Sequence, residues 1–287
     1  MKLSNKVAVV TGASQGLGLA IARRFVNEGA SVVLCSRNTS ELEAAATQLR
    51  AAAAPGVLVF AERADVSSEA DVGRLADLAQ RQFGKLDILV SNAAVLGPKG
   101  AIDEASWSAW SQTISINLLG TVLCCRLFLP LLRRSSRGKI LLLSGGGATK
   151  PRPFLSAYAT SKAAVVRFGE NLAEELGAAG IDVNSIAPGA LNTRLLDEVL
   201  AAGPEKVGRS EYAAALRQKE SGGSPLERGA ELCVYLASPE GDGITGKLIS
   251  AVWDPWTDLA QHRHDLRTTD VYTLRRIVPG ERGFNWG

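Results

Sequence analysis

An α/β fold, built on one doubly wound parallel sheet of seven strands, is what this chain of 287 residues predicts, and two patterns predict it. Short apolar runs alternate with longer stretches of helical periodicity, an order that imposes right-handed crossovers and a parallel sheet covered on both faces. A glycine-rich turn, TGASQGLG at 11–18, joins the first apolar run to the first helical stretch. Hydrophobic residues make up 46% of the chain, enough for one large core.

The first strand is KVAVVT (6–11), followed by a helix over 16–28, and the second is SVVLC (31–35), followed by a helix over 40–53. VLVFA (57–61) leads into a helix over 68–83, and LDILVS (86–91) into helices across 104–134. KILLLS (139–144) precedes a helix over 156–179. IDVNSIA (181–187), a loop with short helices, a helix over 225–238 and KLIS (247–250) complete the pattern. No repeat or Pro/Ser linker breaks it, so residues 1–250 read as one domain and 251–287 as an extension.

The formal net charge is only +3, with Lys and Arg dispersed, which argues against a nucleic-acid partner. MKLSNKVAVVTGAS has too short an apolar run for a signal peptide. The longest apolar region, 114–132, is interrupted by Asn117, Gly120, Arg126 and Pro130, so no membrane span is expected and the location is expected to be cytoplasmic. Cys35, Cys124, Cys125 and Cys233 show no CxxC spacing and read as core thiols of a reducing compartment. His262 and His264 fall in a charged stretch without a full ligand set, so no metal is expected.

Gly12, Gly16 and Gly18 let the turn after the first strand approach a pyrophosphate, whose charge sits on the helix N-terminus. This is the context of a Rossmann-type dinucleotide site. The end of the second strand reads Ser36-Arg37-Asn38, with no carboxylate for a ribose hydroxyl and an arginine suited to a 2'-phosphate. NADP(H) is therefore preferred, with NAD(H) possible if Arg37 is only a solvated loop residue. In SAYATSKAAVVRF (156–168), Tyr158 and Lys162 share one helical face. A nearby cation favours the ionised phenol, and such a tyrosine can exchange a proton with a carbonyl or alcohol. The spacing alone also suits an ordinary surface pair.

With the glycine turn, however, the sequence resembles the short-chain dehydrogenase/reductase family over residues 6 to about 250. The motifs are TGASQGLG, ADVSS with Asp65, SNAA (91–94), SINLLG with Asn117, YATSK (158–162) and APGALNT (187–193). The resemblance implies that Tyr158 is the general acid/base, that Lys162 holds the nicotinamide ribose and lowers the tyrosine pKa, and that Asn117 opens a helix around a proton-relaying water. It implies cofactor contacts from Gly12, Ser14, Gln15, Gly16, Leu17 and Gly18, from Ser36, Arg37, Asp65 and Val66, and from Tyr158 and Lys162 themselves. Asn92 would brace the central strands beside Ala93, and Thr193 would touch the carboxamide beyond Pro188, Gly189 and Leu191.

Three departures stand out. The family carries a serine at the position of Gly145; the nearest hydroxyl is Ser144, so either the glycines of LLLSGGG allow a bulge that brings Ser144 into place, the reading favoured here, or the serine is missing. SNAA replaces the more usual Asn-Asn-Ala-Gly. The last strand runs on through LISAVWDPW into an extension holding five of the sixteen aromatics, Trp253, Trp256, Tyr272, Phe284 and Trp286. That extension is expected to pack on the domain or a neighbouring subunit, either across the substrate cleft or as an assembly element.

The function expected is NADP(H)-dependent interconversion of a small-molecule carbonyl and a secondary alcohol, in a homodimer or homotetramer. The alternatives are a dinucleotide sensor that never turns over its cofactor, and a nucleotide-sugar epimerase or dehydratase that regenerates it. Lys99, Lys150, Arg152 and Arg194 fall in loops near the expected cleft and suit either an anionic substrate or solvent.

Overall fold

The computed structural model describes residues 1–286. Its sheet has seven parallel strands in the order β3-β2-β1-β4-β5-β6-β7: β1 (Val7–Thr11), β2 (Ser31–Ser36), β3 (Val59–Arg63), β4 (Ile88–Ser91), β5 (Gly138–Leu143), β6 (Ile181–Ala187) and β7 (Lys247–Ser250). The chain starts in the middle, winds outward to β3, then returns to wind outward the other way. The reversal opens a crevice above the C-terminal ends of β1 and β4, where ligands of such sheets bind.

The central strands are apolar on both faces because helices cover both. Ala8 and Val10 point into one core, shared with α1 (Gly16–Asn27) and α2 (Thr39–Ala52). Val7 and Val9 point into the other, beneath α3 (Glu69–Phe83) and two helices further along the chain, α5 (Gly120–Leu132) and α6 (Ser156–Leu176). Helix ends follow local chemistry: Ser68 Oγ accepts from Asp71 N (3.3 Å) at the start of α3, and Gly84 in the left-handed region ends it. The third strand lies two residues later than its apolar run, because pairing with β2 (Val32 opposite Val59) sets the register.

The region read as continuous helices divides into α4 (Trp107–Ile114), a π-helical segment over Ser115–Leu119, and α5. By length and composition alone Trp107–Leu132 could cross a membrane, so the interruptions noted in sequence do not exclude a span by that measure. Its apolarity has another use here, since Cys124, Phe128, Leu131 and Leu132 are buried in the second core. Between β6 and α10 (Leu226–Ala237), the helices α7 (Arg194–Ala202), α8 (Pro204–Val207) and α9 (Arg209–Ser221) form a small cap with its own apolar cluster, which includes Leu96, Leu155 and Tyr158.

The extension lies along the edge of the sheet. Trp256, Leu259 and Leu266 of α11 (Arg263–Thr268) and its preceding turn join the first core, with Trp256 edge-to-face on Tyr235 at 5.6 Å. Leu248 N donates to Tyr272 O (2.8 Å), and Lys247 Nζ to the carbonyls of Thr269 and Val271 (3.0 Å each). These contacts cover the open edge that β7 would otherwise present to solvent. The described residues of the extension do not close over the cleft of its own chain: among them only Trp253, 84% exposed, borders that cleft.

Candidate active site

The crevice above β1 and β4 is a cleft of about 900 Å³. At one end the glycine turn forms its floor. Gly12 and Gly16 hold φ of +62° and +56°, which L side chains rarely adopt. A Cβ at Gly18 would lie 2.5 Å from Asn92 Nδ2 and collide with the Gly12 carbonyl. Asn92 locks the turn, donating from Nδ2 to Thr11 O (2.9 Å) and Gly12 O (3.0 Å), while Thr11 Oγ1 accepts from Asn92 N (2.9 Å) and Ala93 N (3.1 Å). No side chain caps α1 at Gln15, so its first amides stay open to an anion.

The structure gathers the other expected cofactor residues around this turn: Ser14, Gln15, Leu17, Ser36, Arg37, Asp65, Val66, Ala93, Pro188, Gly189, Leu191 and Thr193 all line the same cleft. Asp65 Oδ1 accepts from Ser67 N (2.9 Å) and Ser67 Oγ (2.6 Å). Gly189 (φ +96°) sits so close to Ser224 and Val252 that a Cβ would meet both within 2.8 Å. Ser36 Oγ donates to Asn38 O (3.1 Å), and Arg37 makes no ion pair among the described residues.

One finding corrects the reading of this end. A carboxylate does stand at the second-strand pocket: Glu41, in the first turn of α2, accepts from Ser14 Oγ (3.4 Å) and Gln15 Nε2 (3.5 Å). Sequence missed it because it is offset from the strand end, and only the Asn38 cap, which receives Glu41 N at 3.3 Å, turns it back toward the glycine loop.

At the other end of the cleft, Tyr158 and Lys162 are both buried. Lys162 Nζ donates to Leu143 O (2.7 Å) and stands 5.8 Å from the Tyr158 ring centroid. Burial pushes Lys162 down to about 8. Burial also pushes Tyr158 above its ordinary value, and the charge pulling it back down is that of Arg152, whose Cζ lies 5.6 Å from the ring centroid. Asn117 sits inside the π-helical segment, where Oδ1 accepts from Val95 N (2.9 Å) and Nδ2 donates to Val95 O (2.9 Å) and Ser161 Oγ (3.0 Å). The widened turn presents this amide sideways to the loop after β4.

The bulge expected to carry Ser144 to the tyrosine is not there. The ladder runs on regularly past β5, with Ser144 N donating to Ile186 O (2.8 Å), and Ser144 Oγ is buried without a partner. Gly145 instead faces the phenol: a Cβ there would lie 2.7 Å from Tyr158 Oη. The alternation of side chains along a strand keeps residue 144 off the face that residue 145 presents.

Of the four loop cations, Arg152 and Arg194 line the cleft and Lys99 and Lys150 do not. Lys99 pairs with Glu198 at 3.0 Å. Arg152 grips Glu211 through Nε (3.1 Å) and Nη2 (2.5 Å). Glu211 and Trp253 border the cleft without any signal in sequence, since α9 and the extension reach it only through tertiary packing. His262 faces Asp265 (3.7 Å), and no group of three His, Cys, Asp or Glu able to hold a metal occurs among the described residues. All four cysteines are buried and unpaired, and burial holds Cys35 and Cys125 up at about 12.

Residues 6–202 match the sequence profile of the family described as short chain dehydrogenase. The chain is 35% identical over 247 residues to dehydrogenase/reductase SDR family member 4 of Sus scrofa, covering 86% of each protein. It is 36% identical over 241 residues to L-fucose dehydrogenase of Oryctolagus cuniculus, covering 83% of this chain and 80% of that one. Among solved structures it is similar to the Pseudomonas aeruginosa RhlG/NADP active-site complex, with a TM-score of 0.76 and 30% identity over 89% of this chain and 98% of that one. It is also similar to NAD+-bound xylitol dehydrogenase, with a TM-score of 0.79 and 25% identity over 87% and 98%.

Proposed function

The chain belongs to the short-chain dehydrogenase/reductase family and is an oxidoreductase acting on CH–OH/C=O with a nicotinamide cofactor; we propose that it prefers NADP(H) and interconverts a ketone and a secondary alcohol, with Tyr158 as general acid/base. The observation that carries this reading is the buried Tyr158 phenol at the far end of a cleft whose near end is a glycine cradle with no room for a Cβ at Gly12 or Gly18. That cradle, the open amides of α1 and the unpaired Arg37 fit a dinucleotide phosphate.

Bound there, the nicotinamide supplies or accepts the hydride. The chain's own residues do the rest. Tyr158 gives a proton to the substrate oxygen in reduction and takes it back in oxidation. Lys162, anchored on Leu143 O, would hold the nicotinamide ribose, and Asn117 ties the π-helical turn to the loop after β4. Leu119, 55% exposed at the end of the π-helical segment, is an apolar surface that supports a homodimer or homotetramer, to be read by sedimentation. Four buried free thiols support a cytoplasmic location.

Cofactor choice is set by Arg37 against Glu41. A charge-assisted pair contributes about 1.5–3 kcal/mol, so calorimetry is expected to give NADPH at least about tenfold tighter than NADH. Arg37→Asp is expected to invert the order, and Glu41→Gln to tighten NADPH further by removing a repelling carboxylate. Equal affinities in the wild type would refute the preference.

Gly145 at the serine position favours one second reading, a sensor that binds the cofactor without turnover. A panel of cyclohexanone, diacetyl and ethyl acetoacetate with NADPH, and of L-fucose and xylitol with NADP+, separates the two. Cofactor fluorescence that changes on binding and never decays would make the protein a sensor.

A further inference from the structure

On the reading that Tyr158 exchanges the proton, we infer that Arg152 donates the second hydrogen bond to the reacting oxygen, in place of the serine hydroxyl that Gly145 lacks, and that Glu211 positions it.

Of the residues that line the cleft with Tyr158, Ser144 and Thr149 also carry hydroxyls, but it is Gly145 and Arg152 that lie against the tyrosine. Gly145 contributes no side chain there, and Ser144 Oγ is buried without a partner. An oxygen passing from carbonyl to alkoxide gathers charge that one phenol serves incompletely, and preorganised donors at such an oxygen are among the largest contributions to catalysis. Lys162 Nζ is committed to Leu143 O, and Arg194, 56% exposed, leans toward Glu198 at 3.5 Å.

Arg152 meets the geometric requirement. A Cβ on Gly145 would abut Tyr158 Oη, and a Cβ on the next residue, Gly146, would lie 3.7 Å from Arg152 Nη1. Adjacent glycines thus leave open the space between the phenol oxygen and the guanidinium. Nε and Nη2 both engage Glu211 Oε1, which fixes the planar fork and leaves Nη1 without a hydrogen-bond partner among the described residues. The side chain is only 25% exposed, so its donor acts in a partly dry site. Its charge also opposes the burial that raises Tyr158, and so steadies the phenolate left after proton donation.

Arg152 gains and loses no proton in this role; the proton comes from Tyr158. Glu211 offsets the guanidinium's charge toward the outer cleft while Arg152 still acts on the nearby phenol, so the pair favours an uncharged ketone or alcohol over an anion.

The test has two readouts. Kinetics use whichever compound of the panel the wild type turns over fastest. The ionisation of Tyr158 is followed by tyrosinate absorbance without any ligand, each variant being compared with the same variant carrying Tyr158→Phe. Arg152→Gln is expected to lower kcat by about a hundredfold, with a smaller change in KM, and to move the Tyr158 step to higher pH. Arg152→Lys is expected to return that step toward its wild-type position while recovering only part of kcat, since an ammonium lacks the fork. Glu211→Gln, which frees the guanidinium, is expected to raise KM. An unmoved Tyr158 step in Arg152→Gln overturns the inference, as does a kcat loss equal to that in Arg152→Gln when the hydroxyl of Thr149, which also lines the cleft, is removed in Thr149→Val. If the wild type turns over nothing in the panel, the functional reading itself fails, and the absorbance step alone decides for Arg152.

Discussion

Tyr158→Phe is expected to lower kcat by about a hundredfold or more while NADPH binds as before. The substitution removes the hydroxyl and keeps the ring, so the small apolar cluster around Leu96 and Leu155 stays filled and the loss falls on proton transfer alone. The pH profile carries the same signature. Burial raises Tyr158, so the neutral phenol prevails at neutral pH and serves as the acid for carbonyl reduction. Reduction is therefore expected to be fastest at and below neutral pH, with kcat/KM for NADPH beginning to fall near pH 8 as Lys162 loses its charge. Alcohol oxidation needs the phenolate and is expected to rise over the alkaline range, and that rise is expected to vanish in Tyr158→Phe. Stopped-flow absorbance of NADPH at several pH values measures both; a Tyr158→Phe enzyme within about threefold of wild type would remove the tyrosine from the mechanism.

Truncation after Ser250 is expected to unfold the protein, or to lower its melting temperature by well over 10 °C, and to abolish NADPH binding with it. The deletion strips Trp256, Leu259 and Leu266 from the first core. At about 1.5–3 kcal/mol for each buried side chain the loss is roughly 5 to 9 kcal/mol. The whole stability of a domain is about 5–15 kcal/mol. It also removes the partners of Leu248 N and Lys247 Nζ and leaves β7 as a bare edge. Differential scanning calorimetry decides the matter: a truncated chain with an unchanged melting temperature would show the extension to be dispensable. Trp253→Ala is the complementary variant, because Trp253 is exposed and borders the cleft; it is expected to leave melting unchanged and to alter KM by a few-fold.

The seven strands, their parallel direction and the glycine cradle were legible in the linear sequence because each depends on neighbours along the chain. Apolar runs of strand length, helical periodicity between them and a Gly-rich turn at one junction are local facts, and crossover handedness turns them into a sheet with its crevice above β1 and β4. Tyr158 and Lys162 share a face by helical spacing alone. The strand at 59–63 starts two residues after the apolar run at 57–61 because hydrogen bonding to β2, and not apolarity, sets its start.

What the linear pattern could not supply is what depends on distant segments meeting. Glu41 turns toward Ser14 and Gln15 only because Asn38 caps α2 in that direction. Gly145, and not Ser144, meets the phenol because the β5–β6 ladder continues without a bulge, which pairing with β6 decides. Arg152 becomes more than a loop charge when α9 brings Glu211 to it, 59 residues along the chain. The extension, rich in aromatics and so readable as folded, is directed to the β7 edge and α10 by unpaired backbone groups and an open apolar face there. Composition and spacing fix which residues can bond; only the packed chain fixes which of them are within a hydrogen bond's length of one another.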